Sequence, residues 1–366
     1  MERTDVLRSR ILEQYVAREF LKLLSLSLVA FVSLFIIVDF FERIDRLVRA
    51  ELDVVDLLRY FLLKVPFAVG QVLPAAVLLG VTLTFGIMSR NRETMAIRTS
   101  GLDILQLSRP AFVIAGGVAA ALLALNLYVI PWSQGRLSLF WDLKVEKKPP
   151  ASVLKLHRFW YKGDQAIYNI LNYRKGVQTL EGIKIYLFDQ NFNMVQVIAA
   201  SRAQWQGDHW RFYKGLIQTF GPEGPESGEQ FQERDLVLTE RPEDFGFLEK
   251  KVTEMDLSEL SRYIRRLERD GYRSTPYRLD LDSRVSLALT PLILVILGLG
   301  LSLHQEKVHI AAVVALGLLV MFAYWLFYGF SLSFAQAEKL PILLAVGLPH
   351  LVFGLGSLDL LRRITR

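Results

Sequence analysis

The 366-residue sequence predicts an α-helical integral membrane protein with six transmembrane helices, split three and three by an inserted all-β, jellyroll-like domain. Three observations predict it. Hydrophobic residues make up 52% of the chain and are gathered into blocks instead of being spread along it. There are six blocks, each close to the roughly 20 apolar residues that cross a bilayer core as a helix. Between the third and fourth blocks the pattern changes to short β-branched and aromatic runs broken by turn signals.

The first block, residues 23–38, carries no charge, and extending it from Phe20 to Phe41 adds only Lys22 and Asp39. Residues 65–88 and 110–135 are the second and third blocks. Pro74 lies inside the second; proline is tolerated in a membrane helix because neighbouring groups satisfy the freed backbone. Between these two blocks, residues 89–101, SRNRETMAIRTSG, read as a short charged helix. Ser89 is its expected N-cap and Gly101 the residue just past its end. Glu93 falls near the first turn, where the helix dipole favours a carboxylate. In such a helix Arg90, Glu93 and Ile97 share one face, with Arg92 on a neighbouring one.

Residues 141–284 form the long insert. RFWYKGDQAIYNILN reads as strand, Lys-Gly-Asp turn, strand, and GIKIYLFDQNFNMVQVIAA as strand, Asp-Gln-Asn turn, strand. AQWQGDHWRFYKG turns at Gly207-Asp208, and LIQTF and FQERDLVLTE add two more strands. GPEGPESGE reads as a Gly/Pro loop. An antiparallel sandwich, jelly roll or open barrel accommodates this spacing. A helix follows: Asp256 and Glu259 make a capping box, Leu257, Leu260, Ile264 and Leu267 recur at helical spacing, and Gly271 closes it. The last three blocks are residues 285–303, 308–337 and 340–358. The expected organisation is a membrane half over 1–140, a β domain over 141–255, a surface helix and connector over 256–284, and a second membrane half over 285–366.

The net charge of +6 is explained by topology without nucleic acid. With the N-terminus inside, thirteen basic residues near span ends lie inside: Arg3, Arg8, Arg10, Arg18, Lys22, Arg90, Arg92, Arg98, Arg109, Lys307, Arg362, Arg363 and Arg366. Seven lie outside: Arg43, Arg46, Arg49, Arg59, Lys64, Arg136 and Lys339. That is the direction of the positive-inside rule, and it places the β insert on the outer side. The mixed charge of the first 22 residues, with no small-residue cleavage site after the first block, does not fit a cleavable signal peptide.

The absence of cysteine excludes disulfides, thiolate metal sites and Cys nucleophiles. Neither a Walker A motif nor H-E-x-x-H occurs, and the five histidines are scattered. No catalytic residue, metal ligand or cofactor is therefore assigned, and ATP binding through a P-loop is excluded. His350, inside the last span, is read as a packed neutral histidine in preference to a proton relay. The segment DFFERIDRLVRAELD supplies local pairs such as Asp39–Arg43 and Glu42–Arg46. Lys64, near the outer end of the second span, has a stem long enough to snorkel. Alternatively Arg43, Arg46, Lys64 and Arg136 form a basic ring suited to a phosphorylated headgroup.

ILEQYVAREFLK before the first span, VLPAAVLLG within the second and SRNRETMAIRTSG after it resemble the LptF/LptG permeases, with the LptG-like branch the nearer match. GIKIYLFDQN, LSELSRYIRRLERDG and SRVSLALTPL extend the resemblance over nearly the whole chain. It implies a permease subunit of an ABC-type exporter in the bacterial inner membrane, with the β-jellyroll in the periplasm. The implied cargo is lipopolysaccharide, drawn from the outer leaflet and handed to a periplasmic protein bridge. The implied partners are an LptB-type ATPase dimer, a paired LptF/LptG-type permease and an LptC-type bridge protein. Residues 89–101 match the family's coupling helix, so Arg90, Arg92, Glu93, Ile97 and Gly101 are the expected ATPase contacts. Asp39 departs from the family pattern, which places a basic residue there for lipopolysaccharide phosphates. A lipid-modifying membrane enzyme and a membrane-anchored β scaffold are the alternatives. A separate ATPase on purification distinguishes the permease from both.

Overall fold

The computed structural model describes residues 2–100, 104–147, 159–163, 166–174, 177–189, 191–221, 224–238, 240–242, 251–269, 273–303 and 310–365. Gly271, His304 and His309 lie outside them. Contacts divide the chain into two compact units: Met1–Leu137 with Val252–Ser261 and Ser274–Arg366, and Ser138–Lys251 with Arg262–Arg273.

The helices are α1 (Glu2–Arg49), α2 (Val54–Arg90), α3 (Glu93–Thr99), α4 (Ile104–Leu107), α5 (Arg109–Ala124), α6 (Ile130–Phe140), α7 (Leu257–Arg269), α8 (Thr275–Leu303), α9 (Ile310–Gln336) and α10 (Ile342–Thr365). Among the described residues, six segments are long and apolar enough to cross a membrane: Ile11–Arg49, Val54–Arg90, Arg109–Val145, Thr275–Leu303, Ile310–Gln336 and Ile342–Arg362. They coincide with the six apolar blocks. The third joins α5 to α6 through a π-turn, Leu125–Val129. Pro131 explains the widening, because it offers no N–H to the carbonyl four residues earlier and its ring crowds that carbonyl.

Phe20 and Leu24 of α1, Val77, Val81 and Phe85 of α2, Ala111 and Ala115 of α5, and Val295 and Leu299 of α8 share one buried cluster. Lipid is as apolar as leucine, so close packing, not the hydrophobic effect, must hold such helices together. Two glycines permit it. A Cβ on Gly80 would lie 3.1 Å from Leu24 Cα, and one on Gly298 would lie 3.1 Å from Thr82 Oγ1 and 3.3 Å from the Leu78 carbonyl. The Ser302 hydroxyl donates to the Thr82 carbonyl at 3.0 Å beside that contact. Where the chain returns to the membrane unit, Arg284 donates to the Met255 and Val252 carbonyls, each at 2.7 Å, and pairs with Asp280 at 2.8 Å. These bonds tie the short turn Val252–Glu254 to α8.

The second unit holds a six-stranded antiparallel sheet: β1 (Phe159–Lys162), β2 (Ala166–Arg174), β3 (Thr179–Phe188), β4 (Met194–Trp205), β5 (Trp210–Gly221) and β6 (Gly224–Leu236). Their spatial order is the chain order, so the described strands form a meander, and the crossover connections of a jelly roll do not occur among them. The three expected hairpin turns are present. Gly163 N–H donates to the Ala166 carbonyl, Asp189 N–H to the Asn193 carbonyl, and Gln206 N–H to the His209 carbonyl.

Two strand readings need correction. LIQTF is the second half of β5, not a separate strand, and GPESGE is strand, the opening of β6. Pro225 pairs with Phe220 where the β5–β6 register shifts. An edge strand beside an irregularity is where a sheet tolerates proline, which the composition of this stretch concealed.

One rung is unpaired in every ladder from β2 to β6. Leu171, Gly182, Ser201, Lys214 and Gln232 stand opposite one another, while the rungs on either side are paired. Gly182 (φ 59°) and Lys214 (φ 49°) are left-handed there. Glycine adopts that conformation freely, whereas a side chain such as that of Lys214 costs about 1–2 kcal/mol. The two core-facing rows beside this crease are Ile170, Ile183 and Ala200 on one side, and Tyr173, Leu180, Ala203 and Phe212 on the other. Core residues on β2, β3 and β4 are therefore three apart across the crease, where a regular strand spaces them by two.

The capping box of α7 forms as expected. Asp256 Oδ1 accepts from Glu259 N–H at 2.9 Å, and Glu259 Oε2 accepts from Asp256 N–H at 3.3 Å. Leu260 and Ile264 are buried.

Candidate functional site

The segment between the second and third spans does not start where the sequence suggests. Ser89 belongs to the last turn of α2, which continues to Arg90, and Asn91 is its C-cap. The chain turns at Arg92 (φ 60°), and α3 begins at Glu93. Ser89 therefore caps nothing, because the apolar helix before it has no reason to stop at a serine. Arg90 and Ile97 lie on different helices, so the single face expected for Arg90, Glu93 and Ile97 does not exist. Gly101 lies outside the described residues.

Three contacts hold α3 to the membrane unit. Glu93 Oε2 accepts from the Tyr15 hydroxyl of α1 at 3.2 Å, and Glu93 Oε1 accepts from Asn91 Nδ2 at 3.0 Å. Ile97 is 8% exposed and belongs to the buried cluster of α1, α2, α5 and α8. Expected as an ATPase contact, Ile97 instead anchors the helix inward, because the apolar core of its own chain lies on that side. The outward surface is Arg92, Met95, Ala96 and Thr99, with Met95 65% exposed. A helix this short is unstable alone. Here burial of Ile97 and the Glu93 bonds fix it against α1 and the end of α2.

At the other end of the first span pair, Asp39 is the centre of a buried ionic cluster. Its Oδ1 lies 2.9 Å from Lys64 Nζ and 3.3 Å from Arg43 Nε, and its Oδ2 accepts from the Tyr60 hydroxyl at 2.5 Å. Tyr60, Lys64 and Asp39 are all buried. The basic ring is thus not assembled as expected. Lys64 points inward to a carboxylate and does not snorkel, because Asp39 beside it makes inward pairing better than solvation. Arg43 shares that carboxylate, while Arg46 and Arg136 are exposed on α1 and α6. Sequence reading treated Asp39 as a departure and overlooked Tyr60. The signal was available: Tyr60 and Lys64 are four apart on α2, hence on one helix face.

His350 is engaged, as the packed reading expects. Its Nε2 lies 2.9 Å from the Ser286 carbonyl and its Nδ1 3.0 Å from the Val346 carbonyl, with the Tyr324 ring edge-on at 6.0 Å. A neutral imidazole donates from one nitrogen only, so one of these bonds forms at a time. The Thr290 and Tyr324 hydroxyls bond each other at 3.0 Å alongside. Among the described residues no group of three or more His, Cys, Asp or Glu side chains is placed to hold a metal ion.

Residues 14–363 match the family model described as lipopolysaccharide export system permease LptF/LptG. The lipopolysaccharide export system permease protein LptG of Escherichia coli (strain K12) is 23% identical over 358 residues, covering 96% of this chain and 98% of that protein. The LptG of Haemophilus influenzae is 19% identical over 347 residues, covering 93% and 95%.

Proposed function

The chain belongs to the LptF/LptG family of lipopolysaccharide export permeases, and from that premise we propose that it is one permease subunit of an ABC-type exporter, on the LptG-like side of a permease pair. It extracts lipopolysaccharide from the inner membrane and passes it to a periplasmic protein bridge. Hydrolysis takes place in a separate LptB-type ATPase dimer, and an LptC-type protein supplies the next β domain. Both termini and α3 face the cytoplasm, and the β-sheet unit faces the periplasm. The positive-inside bias supports that orientation.

The observation that carries the reading is the construction of α3. A plain turn would connect α2 to α5 equally well. Instead the chain spends a left-handed residue at Arg92, a buried Ile97 and two bonds to Glu93 on holding a seven-residue helix whose Met95 points away from the core. A movable partner pushing on a rigid lever transmits motion to the spans; one pushing on a flexible turn does not. Arg90 and Arg92 are exposed beside this surface and offer it charge.

Affinity purification of the tagged chain from a mild detergent extract tests the proposal, with bound proteins and bound lipid both identified. An ATPase subunit and lipopolysaccharide in the eluate support it. Their joint absence refutes it in favour of a scaffold.

A further inference from the structure

The face of the sheet away from its buried cluster carries a groove of about 1190 Å³. Its floor is one cross-strand row, Trp160–Asn169–Lys184–Ala199–Leu216–Gln230, running across all six strands. On one side it is bounded by the crease, with Leu171, Gly182, Lys214 and Gln232. On the other stands Tyr186, whose ring stacks on Trp160 at 5.8 Å with the planes 22° apart. Trp160 is 60% exposed although large and apolar. Ala199, with only a methyl group, keeps the middle of the groove low.

We propose that this groove binds an anionic oligosaccharide through sugar stacking on Trp160 and pairing of its acidic groups with Lys184 and Lys214. The inference deepens the reading as a lipopolysaccharide permease and rests on it for the source of the sugar. Three features of the lining fit that ligand class. A flat aromatic surface with a negative π face complements the C–H face of a pyranose. The amides of Asn169, Gln230 and Gln232 both donate and accept, as sugar hydroxyls require. The two ammonium groups select phosphate or carboxylate, and the described lining contains no Asp or Glu to oppose them. An acyl chain fits poorly, because it would bury three amides and two ammonium groups without partners. A peptide strand fits poorly too, since strand addition uses a sheet edge and this groove lies on a face.

The test uses the full chain in lipid nanodiscs and, as probe, the lipid-free phosphorylated oligosaccharide released from lipopolysaccharide by mild acid. Calorimetry should detect binding to the wild-type chain. Trp160→Ala and the pair Lys184→Gln with Lys214→Gln should each weaken it by about tenfold or more, as loss of charge-assisted or stacking contacts does. Only the lysine pair should reduce the salt dependence. These side chains are exposed, so the variants should keep the wild-type melting temperature. No binding to the wild-type chain, binding indifferent to both variants, or full displacement by sugar-free phosphatidylglycerol overturns the proposal. Co-purification of intact lipopolysaccharide is measured alongside. Retained without oligosaccharide binding, it sinks the groove and leaves the permease reading standing. Oligosaccharide binding without co-purified lipopolysaccharide sinks the permease reading and leaves the groove.

Discussion

Lys64 Nζ lies 2.9 Å from Asp39 Oδ1, and both side chains are less than one-tenth exposed. The pair joins α1 to α2 inside the membrane unit, with the Tyr60 hydroxyl on the other carboxylate oxygen. Breaking a buried pair from one side leaves an uncompensated charge and costs roughly 3–5 kcal/mol, whereas replacing both partners by apolar groups is close to neutral. Lys64→Met should therefore lower the melting temperature in detergent, less than the full figure because Arg43 remains beside Asp39. Asp39→Leu with Lys64→Met should recover most of the loss. If the double variant melts at the sum of the two single effects, the residues are not coupled.

The crease makes a second prediction. A Cβ at Gly215 meets Phe231 and the Ala199 carbonyl, and one at Gly182 meets Leu171 Cβ at 2.8 Å from a left-handed backbone. Gly182→Val and Gly215→Ala should each destabilise the sheet by about 1–3 kcal/mol, the usual scale of overpacking or backbone strain. Amide exchange should quicken along β2–β5 and stay unchanged in the membrane helices. Uniform exchange in both variants would mean that the rung is not strained.

The β3–β4 turn is pH-sensitive in a defined direction. Asp189 accepts from the backbone N–H groups of Asn193 and Asn191 and from the Asn193 side chain, which holds its carboxyl below the ordinary carboxylate value. A lowered folded-state value means the turn's stabilisation is complete above the unfolded value, about 4, and is lost as pH falls below it. Protection of the Asn191 and Asn193 amides should decline on acidification. Asp189→Asn should flatten that dependence, and an unchanged profile would contradict the assignment.

Orientation is testable because the chain has no cysteine. Ser227, exposed on β6, should react as Ser227→Cys with a membrane-impermeant probe from the periplasmic side. Labelling only after the cytoplasmic side is opened would reverse the topology.

The helical architecture was legible because a bilayer imposes length and apolarity on each span, and the blocks show both. The α7 cap was legible because Asp256 and Glu259 satisfy each other locally. The beginning of α3 was not: serine is a good N-cap only where the preceding chain leaves the helix, and α2 runs through Ser89. The Asp39–Tyr60–Lys64 cluster was half legible: Tyr60 and Lys64, four apart, share a face of α2, but Asp39 lies on α1 and has a sufficient local partner in Arg43. The crease was hidden for another reason. Ile170 to Tyr173, Leu180 to Ile183 and Ala200 to Ala203 are each three apart, which reads as imperfect alternation in one strand and becomes a pattern only once the strands are aligned. LIQTF was severed from β5 by the same interruption, at Lys214-Gly215.

The most direct test of the account is lipid moved per ATP hydrolysed by a purified complex of defined composition carrying Glu93→Lys. In the wild-type chain Glu93 accepts from Tyr15 and Asn91 and sets the pose in which α3 presents Met95. The substitution replaces an acceptor by a cation and adds repulsion at any basic ATPase surface. A hydrogen bond to a charged acceptor contributes about 1.5–3 kcal/mol, and the substitution removes two of them. The account predicts that the membrane unit stays folded while ATPase association, or lipid moved per ATP, falls at least tenfold, as about 1.4 kcal/mol suffices for that. A Glu93→Lys complex that assembles and moves lipid at the wild-type ratio would contradict the coupling role of α3.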